Sequence, residues 1–220
     1  MTRVAVVDDQ DLVRAGFLLL LLQSAGEVEV VGEARDGLEA IALCRRCAPD
    51  VVLMDVRMPV LDGLSATRTI LADPACHDTR VIVLTTFDGD DLVLEALRSG
   101  ASGFLLKDTR PAQLLEAIAV VAAGEALLHP RITRRLIERF SALPAGRPAA
   151  GTDGLSERER GVLSAVARGL SDQEIATHLH LGYGTVKTHV SHLLTKLDCR
   201  DRAQLVVYAY ESGHAVPGDA

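Results

Sequence analysis

Asp50-Val51-Val52-Leu53-Met54-Asp55 is an uninterrupted apolar run with an acid at each end. A run of this length reads as a strand buried on both faces, as in a parallel sheet covered on both sides. The same grammar recurs outward from it. Residues 3–7 form a short β-rich run followed by Asp8 and Asp9. Residues 80–85 form a strand that ends in the hydroxyl of Thr85, and residues 103–107 one that ends in the amine of Lys107. Residues 28–34 read as a strand with alternating acids. Helical patterns fill the gaps at 10–23, 37–47, 64–71, 90–98 and 111–122. This alternation predicts an α/β domain over residues 1–123, a doubly wound five-stranded parallel sheet with helices on both faces. Ligands bind such sheets at the carboxyl ends of the strands. Asp8, Asp9, Asp55, Thr85 and Lys107 are therefore expected to meet at one edge.

Residues 124–153 connect this domain to a second. Within them, 130–140 reads as a basic helix carrying Arg131, Arg134, Arg135 and Arg139, and 143–154 as a linker rich in Pro, Ala and Gly. Residues 154–220 predict a small all-α domain of four short helices. Ser156 with Glu159, and Ser171 with Glu174, have the spacing of capping boxes. Val186, Val190, Leu193, Leu194 and Leu197 form one apolar stripe, and Lys187, Thr188, Ser191 and Thr195 the opposite, polar face. The last helix spans roughly 202–211.

The net charge of −7 is unevenly spread. Residues 1–123 hold 11 Lys/Arg against 19 Asp/Glu, whereas 154–214 hold seven of each and five histidines besides. The second domain is thus free to approach phosphates. The longest uncharged apolar run, Phe17 to Leu22, is far too short to span a bilayer, and acids arrive too early for a signal peptide. A cytoplasmic protein with no membrane partner is expected. Five consecutive leucines at 18–22 must leave at least one outside the core of a helix, which is read either as a slightly greasy surface or as a contact between two copies of the first domain through this helix. Cys44 and Cys47 supply half of a tetrahedral zinc site, with no Cys/His pair to complete it, and read as small core thiols.

Three acids at two strand ends make a hard-oxygen site suited to Mg²⁺. Beside such an ion, an Asp can attack a phosphoryl group and form an acyl phosphate. Lys107 would offset charge on the phosphoryl oxygens and Thr85 would donate a hydrogen bond to the product. A phosphohydrolase would want a second acid two residues after Asp55, where Arg57 stands.

With Val7-Asp8-Asp9, Met54-Asp55-Val56-Arg57-Met58-Pro59, Asp62-Gly63, Leu84-Thr85-Thr86, the stretch from Gly100 to Lys107 and Thr185-Val186-Lys187-Thr188-His189-Val190, nearly the whole chain resembles a NarL/FixJ-type two-component response regulator. That family joins a flavodoxin-like receiver to a LuxR-type helix-turn-helix. The resemblance implies that Asp55 accepts a phosphoryl group from a sensor histidine kinase, with no turnover of an external substrate. It implies Mg²⁺ on Asp9, Asp55 and the Arg57 carbonyl, with Asp8 acting mainly through water. Thr85 and Phe104 match the switch pair. The aromatic there is often Tyr, so any inward swing of Phe104 is driven by packing alone.

In the second domain, 172–178 matches the support helix and Tyr183–Lys196 the recognition helix, with Gly182 where Ser or Thr is common. Lys187, Thr188 and Ser191 would face base edges of a double-stranded DNA operator, while Thr185, His192, Lys196 and Arg200 would contact phosphates. One monomer offers few cations, so a homodimer formed on activation is expected. Leu205, Val206 and Tyr208 on the last helix are the expected dimer surface.

Overall fold

The central strand of the sheet is the apolar run that ends in Asp55. The computed structural model describes residues 1–24, 26–86, 90–124 and 154–215. The strands are β1 (Thr2–Val7), β2 (Val28–Ala34), β3 (Val51–Asp55), β4 (Arg80–Thr85) and β5 (Gly103–Leu106), in the all-parallel order β2-β1-β3-β4-β5. Every residue of β3 is buried, whereas β2, with its alternating acids, lies at the sheet edge and is mostly half-exposed. An edge strand has a neighbour on one side only, so charged side chains there keep their water.

Strand order reverses between β1 and β3, the position where ligands bind in this topology. The register pairs Val7 with Met54, so the next residues along, Asp8 and Asp55, come level at that point. Five helices cover the sheet: α1 (Asp11–Leu22), α2 (Gly37–Cys47), α3 (Gly63–Ala72), α4 (Asp90–Arg98) and α5 (Pro111–Ala122). A 3-10 turn at Pro74–Cys76, absent from the sequence expectation, starts where Asp73 caps the Ala75 N–H and Pro74 takes the first helical position.

One core lies under α1 and α5. Leu21, Leu114, Ala117, Ile118 and Val121 pack on Val4, Val6, Leu53, Ile82 and Leu84. The leucine run divides as its geometry requires. Leu21 is buried and Leu18 and Leu20 are partly so, but Leu19 is 62% and Leu22 73% exposed. The alternate strand residues, among them Val7, Val52, Met54, Val81 and Val83, are buried toward the other face. Cys44 is buried there, and burial pushes its thiol up to about 12, while Cys47 is half-buried.

The chain divides into two compact units, Met1–Leu127 and Leu128–Ala220. The basic helix expected at 130–140 and the linker at 143–153 lie outside the described residues. The second unit holds α6 (Glu157–Ala167), α7 (Asp172–Leu179), α8 (Tyr183–Lys196) and α9 (Arg202–Glu211). Both expected capping boxes form, Ser156 with Glu159 and Ser171 with Glu174. His180 ends α7 in the left-handed region at φ 52°, and Gly182 opens α8 without a side-chain cap. Val162, Leu163, Val166, Ile175, Val186 and Leu193 form the core of this unit.

Leu205 and Val206 belong to that same core and are buried within it. This corrects the expectation that they form a dimer surface, because a side chain closed inside its own domain has no area left for a partner. Tyr208 remains half-exposed. No helix among the described residues is long and apolar enough to cross a membrane.

Candidate functional site

The acids gather as the register dictates. Asp8 and Asp55 are buried and Asp9 is exposed, and a carboxylate oxygen from each lies within 4.8 Å of the other two. Among the described residues this is the one group of His, Cys, Asp or Glu with such geometry. Lys107, just past β5, lies with its Nζ 2.7 Å from Asp8 Oδ2 and 2.9 Å from Asp55 Oδ2. The Lys107 N–H donates to the Thr85 carbonyl at 2.8 Å, which holds the lysine to the end of β4. Asp8 Oδ1 accepts from Gln10 N, and Asp55 Oδ1 from Val56 N. Thr85 is buried at the last position of β4, and Phe104 is wholly buried on β5.

The electrostatics favour a bound cation. Burial raises the Asp55 carboxyl above the usual carboxylate range, and the Asp8 charge adds to the rise, although Lys107 opposes both. Burial alone would lower the Lys107 amine, yet its hydrogen bonds to Asp8 and Asp55 leave it raised. Three carboxylates against one ammonium leave the pocket about two charges negative when all are ionised. That excess matches a divalent ion, and an all-oxygen donor set suits Mg²⁺.

The loop after Asp55 positions the site, and sequence reasoning saw its motif without its mechanics. Gly63 N donates to the Val56 carbonyl at 2.9 Å, and Asp62 caps α3 through Ser65 N. A Cβ on Gly63 would lie 1.8 Å from the Asp55 carbonyl oxygen. Gly37 N donates to the Leu61 carbonyl at 3.0 Å, and Val60 sits in the left-handed region at φ 67°. A β-branched residue there is a true outlier, which marks the turn as over-determined by its surroundings. The Asp62-Gly63 pair was the available signal. Arg57, whose carbonyl is the expected third ligand, lies exposed in this loop.

On α8, Thr185, Lys187, Thr188, Ser191, His192 and Lys196 are all exposed, as is Arg200 just beyond. Val186 and Leu193 face the core. The Thr188 hydroxyl donates to the Gly184 carbonyl at 3.0 Å. Lys196 differs from expectation. Its Nζ is 2.7 Å and 2.9 Å from the two oxygens of buried Glu159, so it ties the end of α8 to the start of α6. Arg202 likewise ties α9 to α7 through Asp172 and the Leu170 carbonyl.

The Lys196 bond and the Ser156 cap hold the Glu159 carboxyl down at about 2, against its ordinary 4.5. A depressed carboxyl contributes stability that is present above its unfolded value and lost as pH falls through its folded value. Glu159→Gln is therefore expected to melt lower than the wild-type protein at pH 7. The gap should close between pH 4.5 and 2, as wild-type Glu159 protonates. Calorimetric melts across that range check this, and a gap that stays constant overturns it.

The response regulator receiver domain model matches residues 4–119, and the model for bacterial regulatory proteins of the luxR family matches 153–209. The uncharacterized transcriptional regulatory protein YxjL of Bacillus subtilis is 41% identical over 212 residues, covering 96% of each chain. The transcriptional regulatory protein LiaR of the same organism is 37% identical, covering 96% of this chain and 98% of its own. Among solved structures, the RcsB response regulator of Salmonella typhimurium superposes with a TM-score of 0.57 at 25% identity, over 94% of this chain and 98% of its own. The chain belongs to the response regulators that join a receiver domain to a LuxR-type DNA-binding domain.

Proposed function

We propose that Asp55 accepts a phosphoryl group from a sensor histidine kinase, and that this modification tightens the binding of α8 to a double-stranded DNA operator. The observation that carries the reading is the buried Asp8–Lys107–Asp55 bridge with Asp9 beside it. Residues 1–123 act as the receiver, 124–153 as the connection and 154–220 as the DNA-binding domain. An operator as partner places the protein in the cytoplasm.

Asp9, Asp55 and the Arg57 carbonyl would hold Mg²⁺, with Asp8 acting through water. The ion supplies neutralisation of charge on the transferring phosphoryl group. Asp55 Oδ attacks phosphorus, the bond from phosphorus to the donor breaks, and the donor leaves with its electron pair. Lys107 shifts from its carboxylate partners toward the new phosphoryl oxygens, and the Thr85 hydroxyl donates to one of them. The chain assists this reaction at its own Asp55 and turns over no external substrate.

The acyl phosphate carries close to two negative charges where the Asp55 carboxylate carried one, so the modification adds about one negative charge to the pocket. It regulates only if one state of the protein binds it better than another. The switch pair, Thr85 and Phe104, would sense it, with Phe104 acting through packing alone. On the DNA side, Lys187, Thr188 and Ser191 read base edges. Thr185, His192 and Arg200 contact phosphates, and Lys196 joins them only by sharing its ammonium with Glu159.

Doubling these contacts calls for a dimer. Leu12, Ala15, Leu19 and Leu22 stand exposed along α1 at spacings of three, four and three residues. That is the seam by which one helix packs against another, and the occupant is the same helix of a second copy.

Beryllofluoride with Mg²⁺ is expected to double the mass of the full chain in light scattering. It should also tighten binding to a duplex selected from random sequence by about tenfold or more. Leu19→Glu combined with Leu22→Glu should keep the chain monomeric. Unchanged mass and affinity on beryllofluoride would sink the switch, and a dimer that survives the double substitution would sink the surface.

A further inference from the structure

Tyr183 has no role in the reading above, yet its placement is unusual. It is the first residue of α8 and is 47% exposed, so it contributes little to the core. Gly182 and Gly184 flank it, and a Cβ on Gly184 would meet nothing within 4 Å. Gly182 is an acceptable N-cap, but an aromatic followed by a glycine is a poor choice for the first turn of a helix, where acids are favoured.

One turn later, the Lys187 ammonium lies over the Tyr183 ring, 5.2 Å from its centroid. This is cation–π distance, at the i,i+4 spacing that stacks side chains on one helix face. Lysine is a point charge on a flexible four-carbon stem. A lysine expected to read a base edge gains precision from anything that restricts its rotamers before contact. The neighbouring Thr188 is also restrained, through its hydroxyl bond to the Gly184 carbonyl. The exposed face of the first turns of α8 is therefore ordered in advance.

We propose that Tyr183 is a positioning residue for Lys187: its ring holds the ammonium in place, so that base preference at the position Lys187 reads depends on Tyr183. This rests on α8 being the recognition helix. The ring face, and not the phenolic hydroxyl, carries the effect, so Tyr183→Phe should behave like the wild-type chain.

The test is a double-mutant cycle in the full chain with beryllofluoride and Mg²⁺, on a duplex selected from random sequence by the wild-type protein. Tyr183→Leu is expected to weaken binding about two- to fivefold when Lys187 is present, the range of an exposed cation–π contact. In a Lys187→Met background the same change should have almost no effect. Tyr183→Leu should also lower discrimination against duplexes altered at the base pair that Lys187→Met no longer distinguishes. Because Tyr183 is about half exposed and Lys187 is exposed, all variants should melt close to the wild-type protein. Equal losses from Tyr183→Leu in both backgrounds would overturn the proposal. So would a Tyr183→Phe chain that behaves like Tyr183→Leu. A wild-type chain that selects no common sequence would instead defeat the recognition-helix reading, and this inference with it.

Discussion

Asp55→Asn is expected to abolish phosphoryl labelling of the full chain by a small acyl-phosphate donor in the presence of Mg²⁺. The amide matches the carboxylate in size and can still accept a hydrogen bond from Val56 N, so the fold should persist. It lacks the charged oxygen that must attack phosphorus. Neither neighbour replaces it. Asp8 is fully buried with Oδ1 bound to Gln10 N and Oδ2 against Lys107, while Asp9 is the exposed acid at the rim of the pocket and would be engaged by the cation. The wild-type label should be released by hydroxylamine, as an acyl phosphate is. The Asp55→Asn chain should show label at background, a loss limited only by detection, and no gain in DNA affinity on exposure to the donor. A mutant that still labels would place the acceptor elsewhere.

Gly63→Ala should be the most damaging single methyl in the receiver. Its Cβ would meet the Asp55 carbonyl oxygen at 1.8 Å, and that oxygen is backbone, which cannot rotate away. Either α3 moves or the strand end that carries Asp55 moves. Overpacking of this kind costs about 1–3 kcal/mol, with a backbone obstacle at the upper end. The receiver melt should fall by about 10 °C or more. Phosphorylation should slow further than stability alone explains, because a misplacement of about 1 Å can cost on the order of a hundredfold in rate. Gly16→Ala is the control, since a Cβ there meets nothing within 4 Å. In the interior of α1 it should raise stability by about 0.5–1 kcal/mol. A Gly63→Ala chain that melts and labels like the wild type would show that the Asp55 turn has slack the geometry denies.

The acid pocket was legible because two regularities coincide in this sequence. Apolar runs mark buried parallel strands, and polar residues at their carboxyl ends must then meet where strand order reverses. Asp8, Asp55 and Lys107 satisfy both, and the register pairing Val7 with Met54 brings the two acids level. The face of α8 was legible for a similar reason, since its apolar and polar stripes separate at helical spacing.

The surface of α9 was not legible. Ala203, Leu205, Val206, Val207 and Ala209 are all buried, so apolar residues occupy most of the helix circumference and periodicity names no inward side. Partners distant in sequence were equally hidden. Glu159 and Lys196 are 37 residues apart, and spacing alone allowed Glu159 only its local cap on Ser156.

By itself, then, the sequence determined the five strands and the α-helices between them, the four helices of the second unit, the convergence of Asp8, Asp9, Asp55 and Lys107, and the face α8 presents. These follow from period and position within one element, which are local properties. Only the tertiary structure decided which leucines of 18–22 stay exposed, that Leu205 and Val206 are core, that Lys196 is held by Glu159, and that Gly63 presses on the Asp55 backbone. Each of those depends on what a second element brings into contact, and contacts between elements are set by packing, which no spacing along one chain segment encodes.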